Sequence, residues 1–362
     1  MSAHAAMTET PGKDVIICRE GAAGIMRLNR PKTINALTLE MTREIVTALD
    51  AFETDPGVSL VLLEGAGERG LCAGGDIRGL YKSAKAGGDL GPVFWREEYI
   101  LNARIPYFPK PYVAYMDGLV MGGGVGLSAH SAHRIVTEKT QMAMPEVGLG
   151  FFPDVGGTWL LSRAPGEIGT YFALTGQTMS GADAVYAGAA DVLIETKNWP
   201  ALRDALTNAP LKATAANVRA ILAIYAVSDV QVPVAAYREQ IDKAFAHHTV
   251  EAIVATLKED GSDFALATLK ALSEKSPTAL KVTLELLRRA RSSKSLKECL
   301  MREYNSALAV FTSAEFVEGV RAAIIDKDRN PKWSPSRIED VTPEIVGKYF
   351  APNGKYTLVF PD

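Results

Sequence analysis

Apolar positions recur with two different spacings along this chain, and the change between them divides it. In the first half, short apolar runs alternate with amphipathic stretches. Residues 15–18 and 24–28 predict a hairpin around Glu20-Gly21. Residues 39–52 follow Thr38, a side chain suited to a helix N-cap, and set Met41, Ile45, Val46, Leu49 and Phe52 at helical spacing. Residues 58–63, 112–115 and 134–137 read as buried strands, the first two running into glycine-rich turns. Residues 168–174, 181–189 and 201–206 read as helices, with a short strand near Val192. Beyond 213 nearly every apolar run has helical periodicity, at 250–257, 264–272, 278–291, 295–311 and 315–325. Strands alternating with helices predict an α/β core at 14–210, and the later pattern predicts a helical C-terminal region at 211–362.

Composition narrows the classes of function. The chain has 362 residues, 47% of them hydrophobic and 22% charged, with a net charge of -3. That is the balance of a soluble globular protein with ample core, and it offers no electrostatic case for nucleic acid. Cys18, Cys72 and Cys299 form no framework, so a reducing, cytoplasmic setting is expected. No run approaches a membrane span, and five scattered histidines predict no metal centre.

The candidate chemistry lies in three glycine-rich or proline-rich segments. Cys72-Ala-Gly-Gly-Asp-Ile77 leaves a strand through a glycine pair, where a ligand can approach the backbone and the Gly75 amide can point outward. Met121-Gly-Gly-Gly-Val-Gly-Leu127 follows another strand and offers a second amide. Two amides from separate turns, aimed at one point, suit the oxygen of a thioester or ester as charge develops on it. Glu146 and Asp154 stand eight residues apart in an apolar run broken by Pro145, Gly148, Gly150 and Pro153, a setting in which acids are rarely left without a task or a partner. Gly65-Ala-Gly-Glu-Arg-Gly70 matches a dinucleotide-binding pattern, yet no apolar helix pattern opens immediately after its third glycine. Cys72 reads as a small packing residue, His130 and His133 as packing or capping groups, and the basic run 288–294 as a solvated helix end.

Four segments in register, Leu28-Asn-Arg-Pro-Lys-Thr-Ile-Asn-Ala-Leu37, Cys72-Ala-Gly-Gly-Asp-Ile77, Met121-Gly-Gly-Gly124 and Met144-Pro-Glu146, resemble the crotonase (enoyl-CoA hydratase/isomerase) superfamily. Further segments, among them Phe94-Trp-Arg-Glu-Glu-Tyr99, Phe152-Pro-Asp-Val-Gly-Gly157 and Ile325-Asp-Lys-Asp-Arg-Asn-Pro-Lys-Trp333, extend the resemblance from about residue 14 to 360. Within the superfamily the chain most resembles the subfamily that hydrolyses 3-hydroxyisobutyryl-CoA in valine breakdown.

The resemblance implies a crotonase-like ββα spiral core carrying the site, with an acyl-CoA substrate lying across it and no cofactor beyond the CoA of that substrate. It implies an oxyanion hole made by Gly75 and Gly123, catalysis by Glu146 and Asp154, and a substrate contact from Glu98. Lys32, Ala36, Ala73, Ile77 and Arg78 would meet CoA. Gly126 stands where hydratases carry a second glutamate, and Asp154 where they commonly carry glycine, which favours thioester hydrolysis over hydration. On this reading Glu146 attacks the thioester carbon or activates water, and Asp154 positions water or the substrate hydroxyl. A homo-oligomer is compatible with the family. Enoyl-CoA hydration or isomerisation, and acyl-CoA binding without catalysis, are the alternatives.

Overall fold

A computed structural model describes residues 13–352 and 355–361. Its centre is a six-stranded sheet, ordered β1 (Val15–Glu20), β2 (Ala23–Leu28), β3 (Leu60–Gly65), β4 (Tyr112–Met116), β6 (His133–Thr137) and β9 (Val192–Ile194). The expected hairpin is there: β1 pairs antiparallel with β2, and each later pairing is parallel. Parallel neighbours need crossover connections, which is why helical segments separate these strands in sequence. β3 and β4 are almost entirely buried, as their unbroken apolar runs require.

A second, three-stranded sheet was not foreseen. It consists of β5 (Leu119–Met121), β7 (Gln141–Ala143) and β8 (Met179–Ser180). This sheet sets the site. The segment at Cys72 runs parallel to β5, with the Cys72 amide donating to Leu119 O and the Met121 amide to Cys72 O. Two chain segments held side by side deliver their following turns, Gly74-Gly75 and Gly122-Gly123, to the same place.

Helices α1 (Leu39–Thr54), α2 (Ile77–Lys85) and α3 (Leu90–Arg104) follow the early strands. Thr38 caps α1 by accepting from Met41 N, and Asp76 caps α2 by accepting from Gly79 N. α4 (Gly123–Ser128) is glycine-rich because it lies against backbone: a Cβ on Gly124 would sit 2.8 Å from Cys72 O. Further on come α5 (Gly157–Leu161) and the helices of the C-terminal region, including Pro277–Arg291, Leu296–Phe311 and Ala314–Val320.

One apolar core runs through both parts of the chain. It joins Val15, Leu63 and Phe152 to Leu287, Leu300, Phe316 and Leu358. The helical region is thus packed onto the α/β part rather than tethered to it. No helix among the described residues is long and apolar enough to cross a membrane. In the basic run 288–294, Arg289, Arg291 and Lys294 are exposed, as expected of a helix end, and Arg288 is the exception. Arg288 turns inward to donate to Glu167, Thr170 and the carbonyl oxygens of Phe245 and His247, and Arg291 also pairs with Glu167. Those cations are occupied by the protein itself. The segment 65–70 is a turn that leads into the Cys72 segment, and no helix opens directly after it, α2 beginning only at Ile77.

Candidate active site

The two glycine turns face each other. Gly74 and Gly122 adopt positive φ, 103° and 46°, and these bends free the amides that follow them. A Cβ on Gly123 would lie 3.6 Å from the Gly75 nitrogen, so the two candidate oxyanion donors are neighbours. Both amides stay outside the backbone hydrogen-bond network of the described residues. That leaves them available to an incoming oxygen.

Three carboxylates surround these amides. Glu146 opens a short turn (Glu146–Leu149) after Pro145, and a Cβ on Gly122 would lie 3.1 Å from Glu146 Oε1. Glu98, on α3, approaches from the other side: its Oε1 would stand 2.7 Å from a Cβ on Gly123. Asp154 completes the set, its Oδ2 accepting a 2.5 Å hydrogen bond from Tyr99 Oη. A cavity of about 80 Å³ joins them, lined also by Ala73, Ile77, Trp95, Leu149, Phe151 and Phe316. The helical C-terminal region therefore contributes to the site directly, through Phe316.

The electrostatics follow from burial. Glu98, Glu146 and Asp154 are 2%, 8% and 6% exposed, too little for water to stabilise their charge. Burial is the first cause that lifts Glu146 and Glu98 well above the usual carboxylate range, and the neighbouring Asp154 charge lifts both further. Asp154 is pushed up to about 7, again chiefly by burial, with the Tyr99 hydroxyl opposing the rise. Glu98 Oε1 and Glu146 Oε2 are buried without a partner, so each holds hydrogen-bonding capacity in reserve.

The residues expected to serve this site do not all converge. Gly75, Gly123, Glu98, Glu146, Asp154, Ala73 and Ile77 line the one cavity. Glu98 is no solvated helix acid. Lys32, Ala36 and Arg78 lie outside the lining. The turn at 32–37 packs beside it, with Leu37 N donating to Gly74 O and Ala73 N to Ile34 O. Lys32 is exposed, and Arg78 donates to Ile324 O in the C-terminal region. Cys72 is fully buried and its thiol is pushed up to about 12 by that burial, which fits a packing residue and not a nucleophile.

Several neighbours of the acids went unseen in the sequence. Tyr99 holds Asp154, and Asn102, one turn further along α3, is buried with both side-chain polar atoms unpartnered. Glu303 accepts from the loop after Asp154. A signal for Glu303 existed, since it occupies the buried stripe of the helix Leu296–Phe311 beside Cys299, Leu300 and Ala307.

The space around Gly126 is closed. A Cβ there would lie 2.7 Å from Val155 Cβ and 2.9 Å from Asn102 Nδ2. A second acid has no room at that position. Val155 fills it by adopting φ 51°, a left-handed conformation rare for a β-branched residue.

Bare amides converging beside buried carboxylates are the equipment of an enzyme that stabilises charge on a carbonyl oxygen. The chain belongs to the enoyl-CoA hydratase/isomerase family, whose model matches residues 23–350. It is 44% identical to the mitochondrial 3-hydroxyisobutyryl-CoA hydrolase of Xenopus tropicalis over 98% of this chain and 94% of that protein. The human protein of that name is 41% identical, covering 99% and 93%. Among solved structures, a carnitinyl-CoA dehydratase from Mycobacterium thermoresistibile superposes with a TM-score of 0.90 at 46% identity, over 96% of this chain and 99% of that one. An enoyl-CoA hydratase from Rhodobacter sphaeroides gives 0.89 at 43%, covering 96% and 100%. The fold is therefore the expected one. The relatives named here as hydrolases are mitochondrial proteins, so they lend no support to a cytoplasmic setting.

Proposed function

We propose that this protein hydrolyses short 3-hydroxyacyl-CoA thioesters, with 3-hydroxyisobutyryl-CoA as the substrate, releasing the 3-hydroxy acid and CoA. The observation that carries the reading is the closed position at Gly126. Adding water across a double bond uses a pair of acids, one of them at that site, and Val155 and Asn102 occupy it. The names of the hydrolase relatives point the same way.

The thioester carbonyl oxygen sits between the amides of Gly75 and Gly123, which are placed before reaction and need no reorganisation as charge builds. Glu146, beside that turn, attacks the thioester carbon or takes a proton from the water that does. Asp154, held by Tyr99, orients the water or the 3-hydroxyl group and returns a proton to the departing thiolate. Glu98 receives the 3-hydroxyl on its unpartnered oxygen. Lys32 and Arg78, at the surface, attract the phosphates of CoA. The enzyme needs no cofactor beyond the CoA that arrives with the substrate.

A second reading is hydration or dehydration, which the names of the two similar solved structures carry. It requires Asp154 to replace the missing acid across the cavity. Glu146→Gln separates a catalytic site from an acyl-CoA-binding scaffold. We expect release of free thiol from 3-hydroxyisobutyryl-CoA to fall by about 10²- to 10⁴-fold with the fold intact. Thiol release at the wild-type rate would remove Glu146 from the mechanism.

A further inference from the structure

The loop that carries Asp154 is held from a distance. Val155 and Gly156 both adopt left-handed conformations, at φ 51° and 79°, and α5 begins immediately afterwards with no local side-chain cap. The missing cap comes from 147 residues away in sequence. Glu303 Oε2 accepts from Gly156 N at 2.7 Å; its Oε1 accepts from Thr158 N at 3.0 Å and from the Thr158 hydroxyl. Glu303 is fully buried, and the neighbouring Arg302 charge acts on it without a direct hydrogen bond to it among the described residues. All three of its donors belong to the segment just after Asp154. The next residue, Tyr304, packs edge-on against Tyr99, the residue that holds Asp154 Oδ2, at 6.1 Å between ring centroids.

A carboxylate buried without an ion pair is costly, and here three hydrogen bonds to a single loop offset that cost. We infer that Glu303 is the positioning residue for Asp154: the C-terminal helical region reaches into the α/β part and fixes the strained Asp154 loop in its working conformation. The inference rests on Asp154 acting in the hydrolytic site.

The arrangement also couples the two acids. Asp154 faces Glu98 and Tyr99 from α3, Glu146 from its turn, and Glu303 from the helix Leu296–Phe311. His130, which bonds Val155 O, is kept neutral by burial. The charge on Glu303 raises Asp154's tendency to hold its proton.

The test compares Glu303→Gln and Glu303→Asp in the full-length enzyme, by kcat, KM and the pH profile of thiol release. The pH limb due to Asp154 is identified as the one lost in Asp154→Asn. In Glu303→Gln, kcat should fall on the order of 10- to 100-fold with KM nearly unchanged, as expected when a reacting group is misplaced. The Asp154 limb should move to lower pH, because a neighbouring negative charge is gone. Glu303→Asp keeps the charge but not the reach, so kcat should fall while the limb stays in place. A folded Glu303→Gln enzyme with the wild-type kcat and limb would overturn the inference. If that variant does not fold, Thr158→Val removes one donor from the loop side, and unchanged kcat there would overturn it equally. Asp154→Asn with full activity would instead sink the reading of Asp154 on which the inference rests.

Discussion

At the scale of single residues, burial makes the acids of the cavity a burden on stability. Asp154 and Glu303 are each pushed up to about 7, mainly by burial, whereas an unfolded carboxyl titrates near 4. A raised folded value means the native state binds protons more tightly than the unfolded chain. The stabilising contribution is therefore complete below about pH 4 and is lost as pH rises toward 7. Asp154→Asn removes one such group while its amide oxygen can still accept from Tyr99. Urea unfolding should show the variant gaining on the wild type at pH 8, with the gap shrinking at pH 5. A gap that does not change with pH would contradict this account of Asp154. Glu146 and Asp154 were legible in the sequence because acids in a proline- and glycine-broken apolar run need a reason. Tyr99 was not, and of Glu303 only its place in an apolar helix stripe was, since their contacts with the Asp154 loop span 55 and 147 residues and exist only once the topology brings them together.

At the scale of elements, close backbone approach explains how the acid-bearing turns are held. The helix Ala314–Val320 lies directly on the turn Glu146–Leu149, and a Cβ on Gly319 would sit 2.4 Å from Leu149 backbone atoms. The same helix sends Phe316 into the cavity and fixes Glu315 to Ser276 and the Ser334 amide. Gly319→Ala must push helix and turn apart, which should cost about 1–3 kcal/mol of stability and lower thiol release by displacing Glu146. Gly347, within a helix and with nothing in 4 Å of an added Cβ, is the control. Gly347→Ala should leave activity alone and stabilise by about 0.5–1 kcal/mol. Equal effects at the two positions, measured by denaturant unfolding and initial rates, would contradict this packing. Strands of the main sheet and most helices were readable from periodicity. The three-stranded sheet was not, because strands of three, three and two residues are too short to establish an alternation.

At the scale of the whole molecule, the change of pattern near residue 210 marks a change of secondary structure and no break in packing, since both apolar clusters draw residues from either side of it. The helices beyond it supply Phe316 to the cavity, Glu303 to the Asp154 loop and the Gly319 contact to the Glu146 turn. The glycine turns place two free amides beside buried acids, and the position at Gly126 is filled by Val155 and Asn102. These features converge on thioester cleavage over addition of water to a double bond. The most direct measurement tracks free thiol and enoyl-CoA absorbance together, in one reaction, for 3-hydroxyisobutyryl-CoA and for crotonyl-CoA. The account predicts rapid thiol release from the hydroxyacyl thioester, with no enoyl-CoA formed from it and little hydration of crotonyl-CoA. Interconversion of enoyl- and hydroxyacyl-CoA with the thioester left intact would contradict it.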